Sequence, residues 1–434
     1  MKYYSTNRIA SEVSLQEAVV KGLAPDKGLY MPEKIQRLPS DFFGGIGRFG
    51  LVDLAKTVAK AFFGEDIPSE KLESIVADTL NFDIPLKKVG EGIYVLELFK
   101  GPTFAFKDVG ARFMARLLSH FVQEKGQEDV NVLVATSGDT GSAVANGFLG
   151  VKGIRVFVLY PKGKVSDIQE AQFTTLGQNI TALEISGTFD DCQRLVKEAF
   201  VDAELNVQMK LTSANSINVA RFLPQSFYYF HAYAQLARLN RTRNVVVSVP
   251  SGNLGNLTAG LFAKRMGLPL KRFIAANNRN DVFFEYLRTG KYSPRASVQT
   301  IANAMDVGKP SNFARILDLY GNAHEAIAAD ISPARYGDDE IRNAIRSVYE
   351  KSGYLLDPHG ACGYLALEKQ KNPDETGVFL ATAHPAKFKE TVEECIGKAI
   401  EIPSGLKTFM QREKQSEPLS AAFNDFKARL MSSK

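Results

Sequence analysis

Tryptophan is absent from this chain and cysteine is scarce, with only Cys192, Cys362 and Cys395. The missing indole excludes nothing. The thiols, however, are widely separated and form neither a CxxC pair nor a Cys/His cluster of metal-ligand spacing. That excludes a disulfide framework or structural zinc as the organising element and fits a reducing compartment. No apolar run reaches the ~18 residues needed to cross a bilayer. The start, Met1-Lys-Tyr-Tyr-Ser-Thr-Asn7, lacks the apolar core of a secretion signal. A soluble, cytoplasmic, membrane-free protein is expected. Charge is nearly balanced: 53 Lys and Arg face 48 Asp and Glu, a net of +5. The basic cluster Arg238, Arg241 and Arg243 is short and runs into an apolar strand. The basic stripe of a nucleic-acid protein is therefore missing, while a mild positive bias suits an anionic small molecule.

Several catalytic signatures are missing too. No GxxxxGK(S/T), HExxH or GxSxG occurs, so P-loop, zinc-hydrolase and α/β-hydrolase chemistry have no motif behind them. Gly45-Ile-Gly47-Arg-Phe-Gly50 satisfies GxGxxG, but the preceding Leu38-Pro-Ser-Asp-Phe-Phe43 does not read as a strand, and the stretch is assigned to a loop.

What is present is a long alternation of short apolar strands and amphipathic helices. At 434 residues the chain exceeds the length at which one core stops growing, ~250–300 residues, so two or three subdomains are expected. Residues up to 92 read as a helical opening section, with helices at 14–21, 52–63 and 70–79. From Ile93 the pattern becomes strand, glycine-rich loop, helix. Strands are expected at 93–99, 130–135, 154–160, 180–185, 244–249, 273–276 and 377–381. A long helix is expected over 216–239, bent or split by Pro224, and a peripheral helical tail after Pro403. Such alternation gives an α/β protein with mostly parallel open sheets covered by helices on both faces. Ligands of such sheets bind beyond the carboxyl ends of the strands.

Most of the polar loops fall at those ends. Lys107 follows Gly101-Pro-Thr-Phe-Ala-Phe106 and precedes Asp108, where a strand meets a helix. An ammonium set among apolar groups loses its proton more readily, and the free amine can attack an aldehyde; taken alone, the residue reads more readily as a partly exposed lysine at a helix start, snorkelling past two phenylalanines. Ser251-Gly252-Asn253-Leu254-Gly255-Asn256 joins a valine-rich strand to a helix, and two glycines let its amides converge on an anion. Thr136-Ser137-Gly138-Asp139-Thr140-Gly141 has the same context and could receive a carboxylate, although Asp139 would repel one unless it faced elsewhere. Asn215-Ser216-Ile-Asn218-Val-Ala-Arg221 offers amides, a hydroxyl and an arginine suited to phosphate; Ser216 could instead be a plain N-cap and Arg221 an ordinary ion pair. Thr382-Ala-His384-Pro-Ala-Lys387-Phe388 supplies a hydroxyl of the kind that partners an unprotonated pyridine nitrogen. His384 and His359 are read as titrating or structural groups alike, and Lys162 and Lys164 as cations that could reach the same pocket.

Taken in order, the stretches 98–108, 135–141, 213–218, 249–255 and 382–388 resemble the threonine synthase family. The likeness is to its longer bacterial and fungal branch, within the pyridoxal 5′-phosphate (PLP) enzymes of fold type II. The resemblance spans roughly residues 10 to 400. It implies a tryptophan synthase β-like fold with the cofactor in a cleft between two domains. The expected division is residues 1–92, a large PLP-binding domain of 93–127 plus 241–403, a small domain of 128–240, and a tail of 404–434. It implies a lyase that turns O-phospho-L-homoserine and water into L-threonine and phosphate, the last step of threonine biosynthesis, with no metal. Lys107 is then the catalytic lysine that bonds the cofactor aldehyde. Gly252, Asn253, Leu254, Gly255 and Asn256 cradle the cofactor phosphate, and Thr382 faces its ring nitrogen. Thr136, Ser137, Asp139 and Thr140 receive the substrate carboxylate; Asn215, Ser216 and Arg221 receive its phosphate. Leu254 stands where phenylalanine is commoner, and Lys100 where many relatives carry histidine.

Overall fold

Alternating side chains along the apolar strands are buried on both faces, and that pattern builds the molecule. The computed structural model describes residues 1–124 and 129–433. The expected boundary between residues 127 and 128 therefore lies outside the described residues. In chain order, β1 (Lys2–Ser5), β2 (Val13–Ser14) and β3 (Tyr30–Pro32) form a small antiparallel sheet in order β2-β1-β3. This sheet was not anticipated in the opening section, whose helices occupy Leu15–Lys21, Ser40–Gly45, Leu51–Phe63 and Ser69–Thr79, with a 3-10 turn at Ile46–Arg48 where a loop was expected.

The chain next makes β4 (Leu86–Gly90) and β5 (Ile93–Glu97), crosses by helix Lys107–Glu124, and forms β6 (Val130–Ala135), β7 (Ile154–Pro161), β8 (Ile180–Ser186) and β9 (Lys210–Ser213). It returns to make β10 (Val245–Pro250), β11 (Leu270–Asn277), β12 (Ile331–Arg335) and β13 (Thr376–Ala381), and ends with β14 (Ser416–Ser420). Two larger sheets result. One is six-stranded, β12-β11-β10-β13-β5-β4, parallel except for β4; the other is five-stranded and parallel, β14-β8-β7-β6-β9. The tail is thus more than a helical appendage, because β14 extends the sheet of β8. Pro224 does split its helix, into Val219–Phe222, a 3-10 turn at Leu223–Gln225, and Ser226–Arg238.

Packing follows the two-residue period of the strands. Val130, Val132 and Val134 of β6 share one core with Val245, Val247 and Val249 of β10 and with Tyr3, Leu54 and Phe62 of the opening section. The opposite face of β6, Leu133 and Ala135, packs on Leu195 and Phe426; that of β10, Val246, packs on Ile345 and Leu365. Each such fully buried side chain contributes about 1.5–3 kcal/mol relative to exposure. The opening section is therefore a wedge shared by both sheets, and it sets how they face each other. Among the described residues no helix is long and apolar enough to cross a membrane.

Candidate active site

The neighbouring strands β10, β13 and β5 run parallel, so their carboxyl ends lie side by side. They deliver the 251–256 loop, Thr382 and the segment leading to Lys107. In the other sheet β6 and β9 are also parallel neighbours, and they deliver Thr136–Thr140 and Asn215–Ser216. Every expected site residue except Arg221 thus lies in the carboxyl-end loop of one of five strands or in the first turn of the helix that follows it, as Lys107, Asp139, Thr140, Gly255 and Asn256 do; Arg221 lies in the short helix after β9.

Lys107 opens an 18-residue helix and is half-buried. Its approach is pinned to the β13 loop: the Phe106 amide donates to the Thr382 carbonyl at 2.8 Å, and the His384 amide to that of Phe104 at 3.0 Å. Phe104 holds a left-handed φ of 57°, which turns the chain at the Gly-Pro corner. Thr103 donates to buried Asp108 from its amide (2.9 Å) and its hydroxyl (2.5 Å), closing the turn. Burial pulls the Lys107 ammonium down to about 8; Asp139 opposes this, while Lys387 and Arg221 add to it. At pH 8 about half of these amines are neutral, against well under ~1 % for an ordinary lysine near pKa 10.4.

The loop after β10 turns through Leu254 at a left-handed φ of 62° and starts helix Gly255–Arg265. The N–H groups of that first turn have no acceptor within the helix and sit at its positive end. Space excludes a side chain at Gly252 and leaves little room for one at Gly255. A Cβ at Gly252 would lie 2.9 Å from the Ala304 carbonyl oxygen, and one at Gly255 would lie 3.2 Å from the Ser216 Cβ. The buried Asn256 amide nitrogen has no partner. A cradle free of side chains, with converging N–H donors and an unsatisfied amide, fits a phosphate such as that of PLP.

The loop after β6 is tied inward. The Thr136 hydroxyl accepts from the Gly138 and Gly141 amides at 2.9 and 2.8 Å. Asp139 accepts from Gln169 at 2.8 Å and pairs with Lys387 at 2.6 Å, both ions being buried. Burial pushes the Asp139 carboxyl up, but Lys387 and Lys107 outweigh it and hold it well below the usual range. Asp139 does face elsewhere, and its charge is cancelled. Ser137 and Thr140 stay half-buried beside the loop amides.

After β9 the helix cap is Asn218 and not Ser216; its side-chain oxygen accepts from the Ala220 amide at 3.0 Å. Asn215 donates to the Ala135 carbonyl at 3.0 Å, which ties the two loops of this sheet together. Arg221 is 2 % exposed and contacts the Ala214 carbonyl, while its Nε has no partner. Among the described residues no carboxylate pairs with it. Burial pulls its guanidinium down to about 10. Three cations, Lys107, Lys387 and Arg221, therefore face two buried carboxylates, Asp139 and Asp108, the latter raised by burial to about 6 and held by Thr103. An excess of buried positive charge is costly unless an anion completes it.

Three participants were not given a role from the sequence. Lys387 stood inside a quoted stretch, but its pairing with Asp139 spans most of the chain. Asn312 bridges Ser216 and the Asn253 carbonyl at 3.1 and 3.0 Å. Arg315, wholly buried, holds the carbonyls of Tyr30, Ser216 and Ile217. The signal available was Ser311-Asn312-Phe-Ala-Arg315 just after Pro310, two polar groups one helical turn apart. Burial lowers His384 to about 4, a neutral ring set edge-on against Phe99 and Phe104.

A family model for pyridoxal-phosphate dependent enzymes matches residues 78–382. Models for the threonine synthase N terminus and C-terminal region match 2–80 and 360–429. The chain is 44 % identical to the threonine synthase of Haemophilus influenzae over the full length of both. The crystal structure of the Escherichia coli threonine synthase superposes with a TM-score of 0.94 at 43 % identity, covering all of both chains. That of the PLP-bound threonine synthase from Brucella melitensis gives 0.92 at 35 %, covering 100 % and 99 %. A lysine after β5 and a glycine cradle after β10, parallel strands with β13 between them, thus define a PLP-dependent enzyme of fold type II. Within that class, the chain belongs to the threonine synthase family.

Proposed function

We propose that the chain converts O-phospho-L-homoserine and water into L-threonine and phosphate. The observation that carries this reading is the unpaired buried Arg221 beside Lys107, in a pocket with a surplus of positive charge. A substrate bearing a phosphate at one end and an α-amino acid at the other supplies the missing anion and the proton that Lys107 removes.

Bound PLP supplies a sink for the electrons left at the substrate Cα once its proton is gone. Lys107 would hold the cofactor aldehyde, the amides of Gly252, Asn253, Leu254, Gly255 and Asn256 its phosphate, and the Thr382 hydroxyl its ring nitrogen. Ser137, Thr140 and the amides of the 136–140 loop receive the substrate carboxylate; Thr136 and Asp139 act by shaping that loop. Freed from the cofactor, the Lys107 amine takes the Cα proton and then serves at Cβ, and its lowered pKa suits a base near neutral pH. Arg221, Asn215 and Ser216 stabilise the charge gathering on the departing phosphate, a fixed electrostatic contribution made in a dry site. The proton taken from Cβ is delivered to Cγ, which becomes the methyl carbon once phosphate has left; water then adds its hydroxyl at Cβ, its other proton going to the released phosphate, and Lys107 returns a proton to Cα. The two sheets, with their shared wedge, act as large and small domains around this cleft, and the enzyme works in the cytoplasm.

The test is to mix protein, PLP and phosphohomoserine and measure orthophosphate and organic product together. Equal yields of phosphate and threonine support the reading. Phosphate with 2-oxobutyrate in place of threonine would make the protein a phospho-lyase, and no phosphate release would refute turnover.

A further inference from the structure

The Asn312 side chain sits between the two phosphate-directed loops, and its orientation is fixed by charge. Arg315 Nη1 donates to Asn312 Oδ1 at 2.6 Å. The opposite end of the amide, Nδ2, donates to Ser216 Oγ at 3.1 Å and to the Asn253 carbonyl at 3.0 Å. Turning the amide over would set an NH2 group against a guanidinium, which only donates, and an oxygen against a carbonyl, which only accepts. Arg315 is itself immobile. Its remaining donors are spent on the carbonyls of Tyr30, Ser216 and Ile217, and its plane stacks 4.1 Å from the centre of the Phe222 ring. A wholly buried arginine with no carboxylate partner among the described residues is an expensive way to brace a loop.

The consequence falls on Ser216. A hydroxyl that accepts an incoming N–H must point its own hydrogen away from that donor. Among the described residues nothing accepts the Ser216 hydrogen. Ser216 is half-buried and lies against Gly255 at the start of the cradle helix. The Ser216 O–H is therefore left as a donor aimed out of the protein framework.

We propose that Asn312, its amide locked by Arg315, is a positioning residue that turns the Ser216 hydroxyl into a dedicated donor to the substrate phosphate. This rests on the reading above that Ser216 meets that phosphate. Without Asn312 the hydroxyl is free to donate to nearby carbonyls, and the phosphate oxygen loses a charge-assisted hydrogen bond.

The experiment uses the PLP-loaded enzyme and reads KM for phosphohomoserine, kcat, and the affinity for inorganic phosphate by calorimetry. The variants are Ser216→Ala, Asn312→Leu and the double variant, with Asn312→Ser as a smaller replacement should leucine crowd the site. PLP affinity and thermal midpoint are followed throughout. Each single change should raise KM and weaken phosphate about tenfold or more, the scale of one hydrogen bond to a charged group. The double variant should be no worse than Ser216→Ala, because Asn312 acts through that hydroxyl. Losses that multiply in the double variant overturn the proposal, as does an Asn312 effect confined to PLP affinity. If Ser216→Ala binds phosphate like the parent, Ser216 is not a phosphate ligand and the proposal falls. If the parent itself neither binds phosphate nor turns over phosphohomoserine, the underlying functional reading has failed.

Discussion

Replacing Lys387 with methionine removes one half of the buried pair while keeping most of the side-chain volume. In the parent, the Lys387 ammonium donates to Asp139 at 2.6 Å and to the Thr103 carbonyl at 3.0 Å, and both ions are shut off from water. Breaking one side of such a pair costs about 3–5 kcal/mol, because the other charge is stranded. Two effects then act on Lys107 in the same direction. A positive neighbour that lowered its pKa is gone, and Asp139, which raised it, has lost its competing partner. The Lys107 pKa must move up from about 8. The assay is the pH dependence of trapping added PLP on the apoprotein with borohydride, beside urea unfolding of the same samples. The midpoint should rise clearly above the parent's and stability should drop by the amount stated. Pairing the change with Asp139→Asn should recover most of the stability. An unchanged midpoint, or a loss below about 1 kcal/mol, would show that the pair is exposed and idle, and the electrostatic account of the pocket would be wrong.

Arg221→Met removes an unpaired buried charge, so the apoprotein should become more stable in urea while kcat/KM for phosphohomoserine falls about 100-fold or more; a destabilised variant with full activity would contradict this. Gly110→Ala places a Cβ 2.4 Å from the Arg221 carbonyl oxygen and should cost about 1–3 kcal/mol and raise KM, read by thermal midpoint and kinetics; parent-like values would mean the helices part freely. Asp108 titrates near 6 when folded and at 3.8 in its ordinary state, so the folded form binds the extra proton between those values and its contribution to stability is lost as pH rises through 6. Urea curves at pH 4 to 7 should show this slope in the parent apoprotein and a flatter one in Asp108→Asn; equal slopes would remove Asp108 from the balance.

The central strands were legible because each is a short apolar run buried on both faces, and Val130–Ala135 falls where its valines placed it. The strands that escaped notice are mostly edges. β12 contains Pro333 and β14 contains Pro418, and proline is tolerated at an edge because one side of the strand needs no donor. Lys87 and Lys88 give β4 the polar surface of another edge. β9, only four residues with a lysine and two hydroxyls, carries too little apolar pattern to stand out. The site divides in the same way. Contiguous loops such as 251–256 declare themselves, since glycine spacing and a following helix are local features. Asn312, Arg315 and the Asp139–Lys387 pair act across gaps of 59 to 285 residues, and no periodicity records which distant loop they hold.

The most direct measurement is peptide mapping of the PLP-loaded enzyme after borohydride reduction, alongside turnover of Lys107→Ala. The account requires the tag on Lys107 and a loss of turnover in the variant of at least about 100-fold. A tag on Lys387 or any other lysine, or parent-like threonine output from Lys107→Ala, would contradict it.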